Sequence, residues 1–394
     1  MAEAQYTDNG APLRVALLGM GTVAQGVIKI LTEQRELLQR RSGRPIEIVG
    51  IASRRLRAEV TLGDIPFSTD LAGLCESTEV DVVVECIGGE EPALTLVGAA
   101  LAAGKSVVTA NKALIANHGN ALHEQAHASG AELAYEAAVA GGIPILGGLT
   151  AGLAANQAHW LAGIINGTSN FILSAMTDQG QAFSDALAQA QELGYAEADP
   201  TFDVEGVDAA HKLAILAGLA FDSPFQFDAI YVEGITEVTT EDIEYAERLG
   251  YKIKHLGVAR CRDDGIEARV HPALVPAEQI LARVDGVTNA VMVCGDSVGV
   301  TAYVGPGAGM LPTASAVVAD LVAIARQRLP QRCEAKVLPV LGIDDARCAY
   351  YLRIPCLDQP GVFAKVATEL SALQISIESV IQREQAVKVD AGRP

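Results

Sequence analysis

Aromatic residues make up only 5% of the 394 residues, with a single tryptophan. A sandwich core filled by large rings is therefore not expected, and close-packed helix-on-sheet layers are. Basic residues are also few: 29 Lys and Arg against 48 Asp and Glu leave a net charge of −19. Such a surface repels nucleic acid and anionic membranes, so neither is expected as a partner. The seven cysteines are odd in number and form no CxxC. That spacing excludes a disulfide or zinc framework and is expected of reduced thiols in a cytoplasmic protein. No apolar run is long enough to span a membrane, since "ALTLVGAALAAG" stops at Lys105. The opening "MAEAQYTDNGAPLR" has no apolar segment of the kind a signal peptide carries.

Hydrophobic residues are half of the chain, enough to build the cores of two or three domains. "LRVALLGMGTVAQGVIKILTEQ" passes from a β-branched run through glycines into a helical period. "IEIVGIASRR", "DVVVECIGG" and "KSVVTA" are further buried strands, and "PALTLVGAALAAG" is a helix opened by Pro and closed by Gly. Short apolar strands alternating with helices predict a Rossmann-type, doubly wound parallel sheet of the α/β class over residues 1–140. The pattern then changes. Residues 141–305 mix Gly-rich turns, helices and, from about 250, short β runs, which predicts an α+β domain with a mixed or antiparallel sheet. A Gly-rich turn opens a helix within 306–330, a linker follows over 331–346, and 347–394 reads as strand, turn, helix, strand.

Gly19-Met20-Gly21-Thr22-Val23-Ala24 fits G-x-G-x-x-G/A between the first strand and helix. Gly19 permits a tight turn, Gly21 admits a pyrophosphate to the backbone, and Ala24 lets the helix pack close to the sheet. The second strand ends in Ser53-Arg54-Arg55 rather than in an acidic residue. Arg54 there suits a ribose 2′-phosphate, so NADP is favoured, with NAD as the alternative. Asn111-Lys112 follows a strand, placing Lys112 at the sheet edge where ligands of this fold bind. His123-Glu124-Gln125-Ala126-His127 matches the zinc motif H-E-x-x-H. Its helix follows a nucleotide-domain strand, and an exposed polar face explains the same residues.

The densest cluster of charge is "GYAEADPTFDVEGVDAAHK", with five carboxylates and one lysine. Asp208 and Lys212 stand four residues apart and share a helix face. An exposed pair of that kind is worth little. This helix continues as "LAILAGLAF", so it is a core helix, and a charged pair at its mouth lines a cleft. Lysine there can act as a general acid or base.

That stretch, with Glu197, Asp199, Pro200, Asp203, Gly206, Asp208 and Lys212, resembles the signature of the homoserine dehydrogenase family. "NGTSNFIL", "TANKALIA" and "YEAAVAGGIP" are similar to that family as well, and the likeness runs from about residue 13 to 330. It implies a Rossmann domain, a substrate and dimerisation domain, and a helix returning to the first domain. It implies interconversion of L-aspartate 4-semialdehyde and L-homoserine with a nicotinamide cofactor, in threonine and methionine biosynthesis, by a homodimer or homotetramer. By position, Lys212 is then the proton donor and Lys112 assists beside the cofactor. Glu197 holds the substrate's α-ammonium, and Asp208 and Asp203 complete the substrate site. Thr22, Val23 and Gly309 join the cofactor contacts. A structural sodium ion is implied at Glu136 and the carbonyls of Val139, Gly141 and Ile143. The tail "RIPCLDQPGVFAKV" resembles the start of an ACT regulatory module, of which only about the first half is present, so a threonine response is left open. Three other readings remain: another amino-acid oxidoreductase on this scaffold, a zinc hydrolase using His123 and His127, and a non-catalytic sensor built on the tail.

Overall fold

Strand β1, Leu13–Leu18, sends alternate side chains to two separate cores. Val15 and Leu17 join one cluster, with Val82 and Val84 and the helices Thr22–Glu33 and Met310–Ala325. Ala16 and Leu18 join the other, with Val83 and the helices Ala93–Ala102 and Lys112–Ser129. A strand covered on both faces is apolar along most of its length, which is why these segments read as near-continuous Val/Ile/Leu runs, interrupted in β1 only by the half-buried, ion-paired Arg14. In this computed structural model, residues 10–56, 62–327, 329, 337–357 and 359–382 are described. Residues 331–336 of the expected linker, Cys333 among them, and the end of the tail, 383–394, lie outside the described residues.

β1 pairs in parallel with β2 (Ile46–Ala52) on one side and with β4 (Val82–Glu85) on the other. β3 (Phe67–Ser68), β5 (Ser106–Thr109) and β6 (Leu133–Ala134) complete a six-stranded sheet in the order β3-β2-β1-β4-β5-β6. The order reverses between β1 and β4, so a crevice opens at their carboxyl ends. Met310–Ala325 comes back to cover the face already occupied by Thr22–Glu33. The two helices touch closely: a Cβ on Gly26 would lie 2.6 Å from the Met310 carbonyl oxygen.

The second sheet has the order β12-β11-β7-β9-β10-β8, where β7 is Ala158–Ile164, β8 Tyr231–Val232, β9 Tyr251–Arg262, β10 Gly265–Pro276, β11 Thr288–Gly295 and β12 Gly299–Pro306. All its pairings are antiparallel except β8 with β10, which makes it the mixed sheet expected. Helix Val207–Ala220 lies on β9 and β10 and also against Lys112–Ser129, so one continuous core joins the two sheets. Ala162, Val258, Ala273 and Met292 are only partly buried beside the separate cluster of Ile164, Leu256, Val275 and Ala290.

The tail departs from expectation. Val362–Ala372 forms the anticipated helix, but among the described residues no strand forms in 347–382. Leu352, Ile354, Ile375 and Ile377 are exposed instead. A strand needs a partner to hydrogen-bond with, and these segments have none here. The tail meets the second domain through Tyr351, whose hydroxyl donates to Asp242 at 3.0 Å, and through Arg353, 3.4 Å from Glu241. No helix among the described residues is long and apolar enough to cross a membrane.

Candidate active site

Gly19 stands at φ +98°, and its N–H donates to the Ala52 carbonyl at 2.8 Å. A Cβ there would lie 2.7 Å from the Cys86 carbonyl oxygen, so the turn accepts glycine alone. Gly21 precedes helix Thr22–Glu33 and gives it no side-chain cap. Thr22 and Val23 open that helix, and Ala24 is buried beneath it. Gly309, at φ +122°, likewise starts Met310–Ala325 without a side-chain cap. Uncapped first turns leave backbone N–H groups for an anion, so the crevice fits a dinucleotide pyrophosphate. Arg54 is exposed just beyond β2.

Sequence reasoning missed Glu85, which ends β4 wholly buried. Its carboxylate accepts from the N–H groups of Ile87 at 2.6 Å and Gly88 at 3.0 Å, and from the Thr109 hydroxyl at 2.5 Å. The Thr109 oxygen accepts in turn from the Asn111 N–H at 3.0 Å. The Asn111 amide donates to the Gly89 carbonyl at 2.5 Å, while its oxygen caps the next helix by accepting from Leu114 at 3.1 Å. This network ties the two strand ends together and fixes Lys112, the first residue of that helix.

Lys112 reaches Asp208 at 2.8 Å through Oδ1, and Lys212 reaches its Oδ2 at 2.7 Å. Lys212 also donates to the Ile165 carbonyl at 2.8 Å. Asp208 is 4% exposed against 33% for Lys112 and 13% for Lys212, so the shared carboxylate lies deepest and the ammonium groups face outward. Burial alone would raise the Asp208 carboxyl, but the two lysine charges overcome it and hold it well below the usual range. Asp203 behaves oppositely: burial raises it, against the lowering effect of a hydrogen bond from Asn166. That amide donates to Asp203 and to Asp208, each at 2.8 Å. Beside the cluster, His211 stacks on Phe227 with ring centroids 4.1 Å apart, and the Lys112 ammonium lies 5.5 Å from the Phe202 ring.

Thus Lys112, Asp203, Asp208 and Lys212 come together. Glu197 does not join them: it is exposed, and its backbone carbonyl accepts from Gln191 at 3.1 Å. His123 is 2.9 Å from the Tyr135 hydroxyl within a cluster that includes Phe225, whereas Glu124 and His127 are exposed. The zinc motif therefore does not assemble a ligand set, and among the described residues no group of three His, Cys, Asp or Glu does.

A phosphate-receiving crevice beside a paired lysine–carboxylate centre defines a dinucleotide-dependent oxidoreductase. Family models agree: that of homoserine dehydrogenase matches residues 144–322, and that of the homoserine dehydrogenase NAD-binding domain matches 19–136. The homoserine dehydrogenase of Pseudomonas aeruginosa is 53% identical over 384 residues, covering 95% of this chain and 88% of that protein. The structure of a homoserine dehydrogenase from Thiobacillus denitrificans superposes with a TM-score of 0.92 at 51% identity, covering 95% of this chain and 89% of that one. A hyperthermophilic archaeal homoserine dehydrogenase, solved in complex with NADPH, shares the fold at 24% identity and a TM-score of 0.69, over 82% of this chain and all of that one. This chain belongs to the homoserine dehydrogenase family.

Proposed function

We propose that the protein interconverts L-aspartate 4-semialdehyde and L-homoserine, with NADP(H) preferred and NAD(H) accepted. The observation that carries this reading is Asp208 held between the ammonium groups of Lys112 and Lys212 at 2.8 and 2.7 Å. When bound, the nicotinamide supplies the hydride that adds to the aldehyde carbon. Lys212 gives its proton to the carbonyl oxygen, yielding the alcohol, and takes it back in the reverse direction. Lys112 assists from the other oxygen of Asp208. Asp208 keeps both lysines oriented, and Asp203 lies beside it. Glu197 receives the substrate's α-ammonium; being exposed, it needs the bound amino acid to draw its loop onto the cluster. Gly19, Gly21, Thr22, Val23, Ala24 and Gly309 would hold the pyrophosphate, and Arg54 a 2′-phosphate. In this reading the enzyme works in the cytoplasm, serving threonine and methionine synthesis.

The sodium ion is proposed for the Gly-rich turn. Glu136 is buried, and its carboxylate accepts from Leu146 at 2.8 Å and Gly147 at 2.6 Å. Ala140 at φ +53° and Gly141 at φ +33° give the turn an irregular backbone, and Glu136 with the carbonyls of Val139, Gly141 and Ile143 would offer a hard cation oxygen donors. Asp320 lies beside Glu136, accepting from the Glu136 N–H at 2.9 Å, and burial first, then Glu136, raise its carboxyl well above the usual range. A cation there would be structural. For assembly we favour a homodimer, or a tetramer of two such dimers, formed on the second sheet. Its partly buried Ala162, Val258 and Met292 and the exposed Val300 and Val304 of edge strand β12 support that face.

The test is NAD(P)H formation on adding L-homoserine, run with each cofactor. Lys212→Ala should abolish turnover, by roughly a thousandfold or more, with cofactor affinity nearly intact. Turnover within a few-fold of wild type would remove Lys212 from its role. Glu197→Ala should chiefly raise KM for homoserine.

A further inference from the structure

We infer that Asn166 is a positioning residue for the reaction, using both amide hydrogens to hold Asp203 and Asp208 so that Asp208 can serve two lysines at once. The inference rests on the reading of Lys212 and Asp208 above. Asn166 is 5% exposed and sits between β7 and helix Gly167–Gln179. Its Nδ2 donates to Asp203 Oδ1 and Asp208 Oδ2 at 2.8 Å each, and its oxygen accepts from the Ser169 N–H at 2.8 Å. Every face of the amide is thus engaged. A flipped amide would set its oxygen against two carboxylates and its NH2 against an N–H, so one orientation is fixed. The oxygen of Asp208 that it touches is the one paired with Lys212.

Capping the helix does not require asparagine. Ser, Thr and Asp cap as well, because a cap needs only an acceptor. What asparagine adds is two neutral donors. They bridge buried Asp208 and half-buried Asp203, carboxylates that would otherwise repel, and they bring no positive charge to compete with Lys212 for Oδ2. The rest of this turn fixes the same loop: the Thr168 hydroxyl donates to the Tyr195 carbonyl at 2.7 Å, and the Ser169 hydroxyl to the Asp203 carbonyl at 3.0 Å. Asn170 anchors the turn from behind, donating to the carbonyls of Val284 at 3.0 Å and Gly286 at 2.8 Å.

The test compares Asn166→Ser and Asn166→Asp with Lys212→Ala in the full-length enzyme, measuring kcat with homoserine, NADPH affinity by fluorescence titration, and melting temperature. Both Asn166 variants keep an acceptor for Ser169. The serine variant should melt near wild type and bind NADPH within about twofold, while kcat falls roughly 10- to 100-fold, the worth of a charged hydrogen bond. The aspartate variant should lose more, because it adds a third carboxylate. A role in capping alone predicts near-normal kcat for serine, and kcat within threefold in a folded serine variant overturns the inference. Failure of both variants to fold would assign the donors to stability instead, and overturns it too. If Lys212→Ala keeps its turnover, the underlying reading of the site has failed, whatever Asn166 does.

Discussion

Asp208→Asn is the substitution whose cost the structure defines most closely. The side chain keeps its volume and loses its charge. Its Oδ1 now faces Lys112 at 2.8 Å, and its Oδ2 faces Lys212 at 2.7 Å and the Asn166 amide at 2.8 Å. An asparagine offers one oxygen, so in either orientation its NH2 points at a lysine ammonium, and in one of them at the Asn166 NH2 as well. Removing one partner of a buried ion pair costs about 3–5 kcal/mol. Lys112 is 33% exposed and can turn partly to water, so the lower end, about 3 kcal/mol at neutral pH, is expected. Urea unfolding of the two proteins at pH 7 reads this difference directly. Its pH dependence is a second check. The Asp208 carboxyl titrates below its usual range in the folded protein, so its stabilisation is present above the unfolded value of 3.8 and is lost as pH falls through the folded one. The gap between wild type and variant should therefore be constant from pH 7 to about 5 and shrink below about 4. Turnover should drop by roughly a hundredfold or more, since neither lysine keeps its geometry. An unchanged midpoint at pH 7, a gap that does not narrow in acid, or kcat within threefold of wild type would refute the shared-counter-ion argument.

Gly19→Ala combines a positive φ with a 2.7 Å approach to the Cys86 carbonyl, so it should cost about 1–3 kcal/mol and weaken NADPH binding at least tenfold, read by titration. Glu85→Gln replaces one acceptor oxygen with a donor inside a fully bonded buried network. It should lower stability by about 1–3 kcal/mol and raise KM for the cofactor, and a normal KM would detach this network from the cofactor crevice. Burial lowers the His255 ring from 6.5 to about 4, so between those pH values only the unfolded chain takes up its proton. Acid should therefore remove on the order of 3 kcal/mol of stability through this residue. His255→Asn should flatten the stability profile between pH 4 and 6.5, and an unchanged slope would place the acid sensitivity elsewhere.

The first sheet was legible because a parallel strand covered on both faces shows in sequence as a near-continuous aliphatic run. β4 is Val-Val-Val-Glu, buried at all four positions. The helix within 306–330 was legible from the Gly-rich turn that opens it, whereas its return to the first sheet was implied only by the family resemblance. The tail shows the limit. Leu352, Ile354, Ile375 and Ile377 alternate as strand residues do, yet they are exposed and unpaired. Alternation records what a segment could bury; a strand exists only when a neighbour accepts its hydrogen bonds.

The site divides on the same line. Asp208 and Lys212 were legible because four residues on one helix bring them together whatever the rest of the chain does. Lys112 comes from the other domain, and no spacing predicts its 2.8 Å contact with Asp208. Glu85 and Thr109 lie in apolar strand runs and Asn166 opens "NGTSNFIL", and none of these segments shows the contacts its residue makes. Yet those contacts are what separates this centre from an ordinary surface pair. An i, i+4 ion pair in water contributes a few tenths of a kcal/mol. With Asp208 sealed to 4% exposure, bridged to Asp203 by an uncharged amide and shared with a second lysine, the same two residues form the buried cluster on which the proposed proton transfer rests. The chemistry belongs to the helix, and the burial that gives it force belongs to residues scattered over both domains.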